Sequence, residues 1–387
     1  DESSTTATWR NRKPGQPFFA VVNFIVTHES QVWKRKNHPM HVDPAKVKLP
    51  PYYPDTKKVR TDVARFYSNI IDLDSLVGRL LNDLEADGLM DSTIIFFWGD
   101  HGNGLPFYKR EVYDRGLHIP LTVTFPDGYR AGEREEQMIS SIDFGPTVLS
   151  LAGLLTPTPM QGVAFLGKYA GTPHQYIFGA RDRMDSEYDR VRSVRDKQFQ
   201  YVRNFYTDRP LYQDIDYRLQ QDMMPDILSM AMAHKLDSLQ MKWFSSKRPP
   251  EELYDLQADP WEFHNLADDP RYQDQLLRLR AVMDQWLTDV HDLGAIPEKQ
   301  LLKQMWQGMD HPPVTDKVSV QKKRRMIILQ CSTEDASIGY KIWDPGSAEP
   351  TRWEVYTHPL PFRKGQHLKT VAQRIGYEKC EEQEEVL

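Results

Sequence analysis

Apolar positions recur along this chain in distinct rhythms. Pro17 to Val26 (PFFAVVNFIV) is a nearly unbroken, β-rich apolar run, closed by Thr27-His28-Glu29-Ser30. Such a run predicts a central strand, buried on both faces. Residues 31 to 60 are rich in Pro, Lys and Tyr and show no period; an irregular stretch of that length is often functional. Val63, Phe66, Ile70, Leu73, Val77, Leu80 and Leu84 then step by three and four. That spacing predicts an amphipathic helix, which Gly88 stops. A second apolar run, Ile94 to Trp98, follows, and strand–helix–strand succession predicts a parallel sheet flanked by helices. Leu121 to Phe125 and Met138 to Ile142 read as further strands. Asp143 reads as the N-cap of a helix running through Val148 to Ala152 and ended by Gly153.

From about residue 170 the rhythm changes. Tyr176–Ala180, Val191–Arg195 and Phe199–Arg203 are short strand-like runs in a charged setting, predicting an antiparallel sheet. Residues 216 to 240 look helical, and 271 to 290 carry Leu276, Leu279, Val282, Trp286 and Leu287 along one side of a helix. Residues 294 to 316 read as a linker. Beyond 317 the pattern is all-β, with strand-like runs at 326–329, 336–342, 353–357 and 368–374. The reading is thus an α/β catalytic part over 1–168, a small antiparallel α+β subdomain over 169–293, the linker, and a β-sandwich module over 317–387.

The chain's 387 residues suffice for two or three domains. A net charge of −6 supplies no basic field, so nucleic acid is not the expected partner. No run approaches the roughly 18 apolar residues of a membrane span. Cys331 and Cys380 could pair only if the fold brings them together. None of the eight asparagines lies in an Asn-x-Ser/Thr sequon, which weighs against a glycosylated lysosomal or animal secreted enzyme and favours a bacterial one. The first residue is not Met, and Asp1 to Gly15 read like the middle of a loop. The expectation is therefore the C-terminal part of a longer protein, in which no targeting segment could show.

Candidate chemistry concentrates at the end of the second apolar run. Asp100 and His101 stand between Gly99 and Gly102, where sites form at the carboxyl ends of strands. A carboxylate and an imidazole there could share one divalent cation, since the glycines let the backbone turn off the strand. The spacing Gly99-Asp100-His101-Gly102, Lys109, then Tyr113-x-x-Gly116-x-x-x-Pro120 resembles the metal- and sulfate-binding segment of the sulfatases, in the alkaline phosphatase superfamily. The runs Asp143-Phe144-Gly145-Pro146-Thr147, Ala152-Gly153 and Gly162 are similar to that family too. So are Glu251 to Leu256, Asp259-Pro260, Glu262 and Asn265-Leu266-Ala267. The resemblance covers about 17–290.

It implies hydrolysis of a sulfate ester. Asp100 and His101 are implied to hold calcium (many sulfatases have Asn where this chain has His101), and Lys109 to contact the sulfate. His28 is implied to contact the sulfate or protonate the leaving alkoxide. Arg181, Asp182 and Arg183 are candidates for a rim that recognises acidic sugar groups; His118 is a candidate for the pocket edge. Arg110 and Arg115 read as surface or rim charges. The family's Cys-x-Pro-x-Arg or Ser-x-Pro-x-Arg motif, whose first residue becomes formylglycine, is absent, and no aspartate pair precedes His28. The implied fragment would hold the second half of the fold and be inactive alone. Thr333 to Tyr340 and Arg374-Ile375-Gly376-Tyr377 resemble the C-terminal module of chitobiases and β-hexosaminidases. Together these features imply a sulfated oligosaccharide or polysaccharide as substrate and a periplasmic or extracellular setting. The alternatives are a phosphodiesterase or phosphonate hydrolase of the same superfamily, and a carbohydrate-binding relative without catalysis.

Overall fold

The turn at His28 tightens at once into helix α1 (Ser30–Lys34), and helix α2 (Lys57–Ala86) follows after an irregular stretch. The structure, a computed structural model, describes residues 4–387. Thr56 caps α2: its hydroxyl accepts the Val59 N–H at 3.2 Å. The helix ends where Gly88 turns left-handed (φ +67°), as its position in the sequence predicts. Val59, Val63 and Phe66 on its first half are buried; Ile70 and Ile71 farther along are exposed.

The chain then forms β1 (Ile95–Trp98), helix α3 (Asp114–Leu117), β2 (Leu121–Thr124) and helix α4 (Phe144–Leu151). Here two expectations are corrected. β1 pairs with β2 alone among the described residues, and the pairing is antiparallel, from Ile95↔Thr124 to Trp98↔Leu121. Residues 17–26 are not a strand. They run without a ladder partner, and Phe19, Val21, Val22 and Ile25 are exposed. An apolar run supplies strand propensity, but a strand exists only when a second backbone lies beside it. Met138 likewise contributes only an isolated bridge to His174. The α/β class holds; the parallel ladder is not formed.

The antiparallel expectation for the next segment holds. β3 (Ile177–Met184), β4 (Glu187–Arg195), β5 (Phe199–Asn204) and, after helices α5 (Met223–Met232) and α6 (Ser238–Met241), β6 (Glu251–Asp255) make one sheet in the order β3-β4-β5-β6. Helix α7 (Gln273–Asp289) buries Leu276, Leu279 and Met283 against Val194, Tyr201 and Leu253 of that sheet. A second cluster joins α2 to α5 through Val63, Phe66, Met223, Met224 and Ile227, and takes in Tyr52, Tyr53, Phe107 and Trp243. The latter aromatic residues matter below, because they hold the loop that follows β1.

Two compact units divide after Val290. The second, from His291, takes in the whole stretch expected to be a linker, which instead carries helix α8 (Glu298–Met305); Trp306 Nε1 then donates to the Gly376 carbonyl at 3.1 Å. The unit's strands are β7 (Ser319–Lys323), β8 (Met326–Gln330), β9 (Ser337–Trp343), β10 (Glu354–Val355), β11 (Leu360–Pro361), β12 (His367–Gln373) and β13 (Gln383–Val386). They form two antiparallel sheets, β11-β8-β7 and β10-β9-β12-β13, around one core of Ile327, Leu329, Ile338, Leu360 and Leu368. That is the expected β-sandwich. Cys331 and Cys380 are free thiols. No helix among the described residues is long and apolar enough to cross a membrane.

Candidate active site

The loop after β1 folds back on itself because two glycines let it. Gly102 N–H donates to the Gly116 carbonyl at 2.9 Å. A Cβ on Gly102 would lie 2.1 Å from the Arg115 carbonyl oxygen, and one on Gly116 would lie 2.2 Å from that of Glu111. Both positions of the sequence pattern are therefore glycine for close backbone approach. Between them Phe107 and Arg110 adopt positive φ (71° and 75°), which costs about 1–3 kcal/mol each and persists only where surroundings impose it. The surroundings are evident. Phe107 packs on Trp243 and Tyr52, with ring centroids 3.9 and 4.8 Å away. The Arg110 guanidinium donates through both Nη1 and Nη2 to the two oxygens of Glu29, each at 2.9 Å.

Pinned on both sides, the loop presents Lys109. Its Nζ lies 3.2 Å from His28 Nε2 and 2.7 Å from Glu29 Oε1. An ammonium only donates, so Nε2 accepts from Lys109; on the far side of the ring Nδ1 lies 2.9 Å from Ser30 Oγ and takes the Ser30 N–H at 3.3 Å. Burial, then the Lys109 charge, holds His28 below the ordinary histidine range; His101 adds to this, while Glu29 and Asp100 oppose it. His28, Lys109, Asp100 and His101, spread over 82 positions of sequence (28 to 109), thus share one electrostatic neighbourhood.

Asp100 and His101 offer part of a cation site. His101 Nδ1 lies 2.6 Å from the Gly102 carbonyl, which can only accept, so Nδ1 carries a proton and, whenever the ring is neutral, Nε2 is an acceptor. That acceptor faces Asp100 Oδ2 at 3.6 Å. The Asp100 side chain is 86% exposed, so its carboxylate is open to a cation from solvent. This donor set suits a divalent ion, but among the described residues no group of three or more His, Cys, Asp or Glu is arranged to hold one. The pair accounts for two ligands and no more.

The proposed rim is revised. Arg181 is buried, not at an edge: it is 1% exposed and its guanidinium bonds Glu111 and Asp189, each at 2.6 Å. Asp182 is held by Arg192 through two 3.0 Å bonds. Arg183 is exposed at the β3–β4 turn, where Nη1 donates to the Ser186 carbonyl. His118 is exposed and pairs with Asp114 at 3.2 Å. Arg110 and Arg115, expected at the surface, are half-buried and paired instead: Arg110 with Glu29 and Arg115 with Glu262, each at 2.9 Å. Asp143 does not cap α4 with its side chain; it accepts from Ser140 N, Val163 N and His174 Nε2. Glu29 is the addition that the sequence reading passed over; Asp185 closes the charged run from Arg181 that reads as a rim in the sequence. Asp185, at the tip of the β3–β4 hairpin, accepts from Arg110 Nη2 at 3.3 Å.

Comparison with known proteins supplies the family. The sulfatase family model matches residues 4–154, and the model for the C-terminal part of N-sulphoglucosamine sulphohydrolase matches 99–242. An ulvan-active sulfatase of Formosa agariphila is 40% identical over 412 aligned residues, which cover 97% of this chain and 69% of that protein. Coverage of that extent runs through the β-sandwich, so the relative shares that module; no chitobiase is among these likenesses. Human N-sulphoglucosamine sulphohydrolase is 28% identical over 66% of this chain and 53% of its own length. A solved enzyme bound to its substrate, D-glucosamine-2-N,6-O-disulfate, superposes with a TM-score of 0.42 at 22% identity, over 62% of this chain and 44% of that one. The chain spans about half to two thirds of the length of these relatives. Being 40% identical to a sulfatase over 97% of its own length and 69% of that protein's, the chain belongs to the sulfatase family.

Proposed function

We propose that this chain is the larger part of a sulfuric ester hydrolase acting on a sulfated oligosaccharide or polysaccharide. The observation that carries the reading is the convergence of Lys109 Nζ on His28 Nε2, 3.2 Å apart, beside the Asp100–His101 pair. Two of the relatives are active on ulvan or on N-sulphoglucosamine, which supports a sulfated carbohydrate as the substrate class. A tetrahedral anion entering between Lys109 and His28 would take over the ammonium's protons. Charge developing on the sulfuryl oxygens would meet a fixed cation in a partly buried site, where such interactions gain strength. His28 Nε2, released from Lys109 and set beside the bound anion, would take up a proton from solvent and then deliver it to the departing sugar oxygen. A calcium ion held by Asp100, His101 and ligands from outside these residues would supply further polarisation of the sulfate. The nucleophile, a formylglycine, would also come from outside them, since no Cys/Ser-x-Pro-x-Arg occurs here. The setting that fits such a polymer substrate is periplasmic or extracellular.

The test compares these 387 residues alone with the chain extended by its upstream coding sequence. Release of sulfate from an aryl sulfate and from sulfated polysaccharide is expected only from the extended protein, and Lys109→Ala is expected to abolish it. An extended protein that carries the formylglycine motif yet releases no sulfate from either substrate refutes the proposal.

A further inference from the structure

Glu29 stands next to His28 in sequence and next to Lys109 in space, yet no step above uses it. It is 2% exposed, and a carboxylate so placed is costly unless cations surround it. Two do. Lys109 lies 2.7 Å from Oε1, and Arg110 takes both oxygens at 2.9 Å. Its backbone is equally confined: a Cβ added to Gly104 would fall 2.9 Å from Glu29 N and 3.0 Å from its Cα. The loop after residues 17–26 and the loop after β1 therefore touch at Glu29 as well as at His28. The same Arg110 reaches on to Asp185 in the β3–β4 turn.

We infer that Glu29 is the positioning residue of the site. It fixes the Lys109 ammonium against His28 and, through Arg110 and Asp185, docks the tip of the β3–β4 hairpin beside the sulfate-binding cation. This rests on the reading of Lys109 as the sulfate contact. A lysine has a four-carbon stem with rotamer freedom worth about 2 kcal/mol, and nothing in a solvated loop would hold its tip to one place. Arg110 is the counterpart that keeps Glu29 itself from turning: a forked guanidinium fixes both carboxylate oxygens in one plane. The Lys109 ammonium can then be aimed by a rigid partner rather than by another mobile side chain.

Two measurements test it, and the first needs no turnover. Amine acylation of the 387-residue chain, read residue by residue by mass spectrometry, should label Lys109 several-fold faster in Glu29→Gln than in the wild type. Glu29→Asp should fall between, and exposed Lys58 should be unchanged. In Gln the amide NH₂ faces the Arg110 donors, so the hub opens without loss of volume. Unchanged Lys109 labelling in a folded Glu29→Gln overturns the inference, and so does faster labelling at Lys58 as well as Lys109, which marks general loosening. The second measurement uses the protein extended upstream. There kcat/KM for an aryl sulfate should fall about 10²-fold in Glu29→Gln, as for misplacement of a catalytic group by about 1 Å, with partial recovery in Glu29→Asp. Wild-type kcat/KM in that variant overturns the inference. Absence of turnover in the unmutated extended protein bears on the sulfatase reading, whereas the labelling arm decides Glu29 in either case.

Discussion

Replacing Arg181 by Met separates a rim residue from a core ion. The side chains of Arg181, Glu111 and Asp189 are each 1% exposed. Removing one member of a buried pair usually costs about 3–5 kcal/mol, because the remaining charge stays desolvated. The structure sets the figure within that range. Asp189 keeps Arg248, which pairs with it on the opposite side. Among the described residues Glu111 keeps one cation, Arg218, whose Nη2 lies 3.8 Å away. One carboxylate is thus stranded rather than two, so the loss should lie near the lower end, about 3 kcal/mol. With a urea slope near 3 kcal/mol per M, the midpoint should move down by about 1 M. Urea unfolding followed by circular dichroism and tryptophan fluorescence reads the shift. Adding Glu111→Gln to Arg181→Met should return part of the loss, because the stranded charge is gone; the two changes should couple by about 1 kcal/mol or more. If Arg181→Met unfolds within about 0.5 kcal/mol of the wild type, as surface substitutions do, the buried-network argument is wrong.

The aspartate at the start of α2 should make stability depend on pH. Asp62 is pushed up to about 7, chiefly by burial and further by neighbouring Asp222. Between the unfolded carboxylate's range and 7 the folded chain binds the extra proton. Its contribution is therefore complete below about pH 4 and lost as pH rises to 7, at about 1.4 kcal/mol per unit of pH at most. Asp62→Asn keeps an acceptor for the Met223 N–H and should flatten that slope in melts from pH 4 to 8; an unchanged slope would count against it. Two glycines should behave oppositely. Gly102→Ala drives a Cβ into the Arg115 carbonyl and should destabilise by about 1–3 kcal/mol, whereas Gly78→Ala, in the interior of α2 with nothing within 4 Å, should stabilise by up to about 1 kcal/mol. Thermal melts showing the same sign for both would refute the close-approach argument.

What the sequence disclosed was local. The stop at Gly88, the antiparallel strands between 177 and 204 and four strand-like runs of the sandwich each depend on neighbours a few positions away, so their periods can be read directly. Residues 17–26 failed for the opposite reason: the apolar run is real, but its ladder depends on a backbone lying elsewhere. The site shows the same division. Asp100, His101 and Lys109 share one short segment and a familiar spacing, and His28 ends a recognisable run. Glu29 carried no such mark. Its partners lie about 80 positions on, at 109 and 110, and the only hint was an acid next to the strand-end histidine facing two consecutive basic residues. Arg181 misled because mixed charge in a short strand looks solvated. Its partners, Glu111 and Asp189, are separated from it by 70 and 8 positions, and only the β-bulged sheet closes them around it.

The apolar stretch at 19–25 also sets how this polypeptide behaves as a colloid. Phe19, Val21, Val22 and Ile25 face water along a backbone whose amides are unclaimed by any ladder, and the short β1–β2 ribbon has both outer edges open. Against that adhesive strip stands a net charge of only −6, whose reach shrinks to about 8 Å at physiological salt. Dilute, low-salt buffer keeps such molecules apart, and adding salt or concentrating the stock brings the strips together edge to edge.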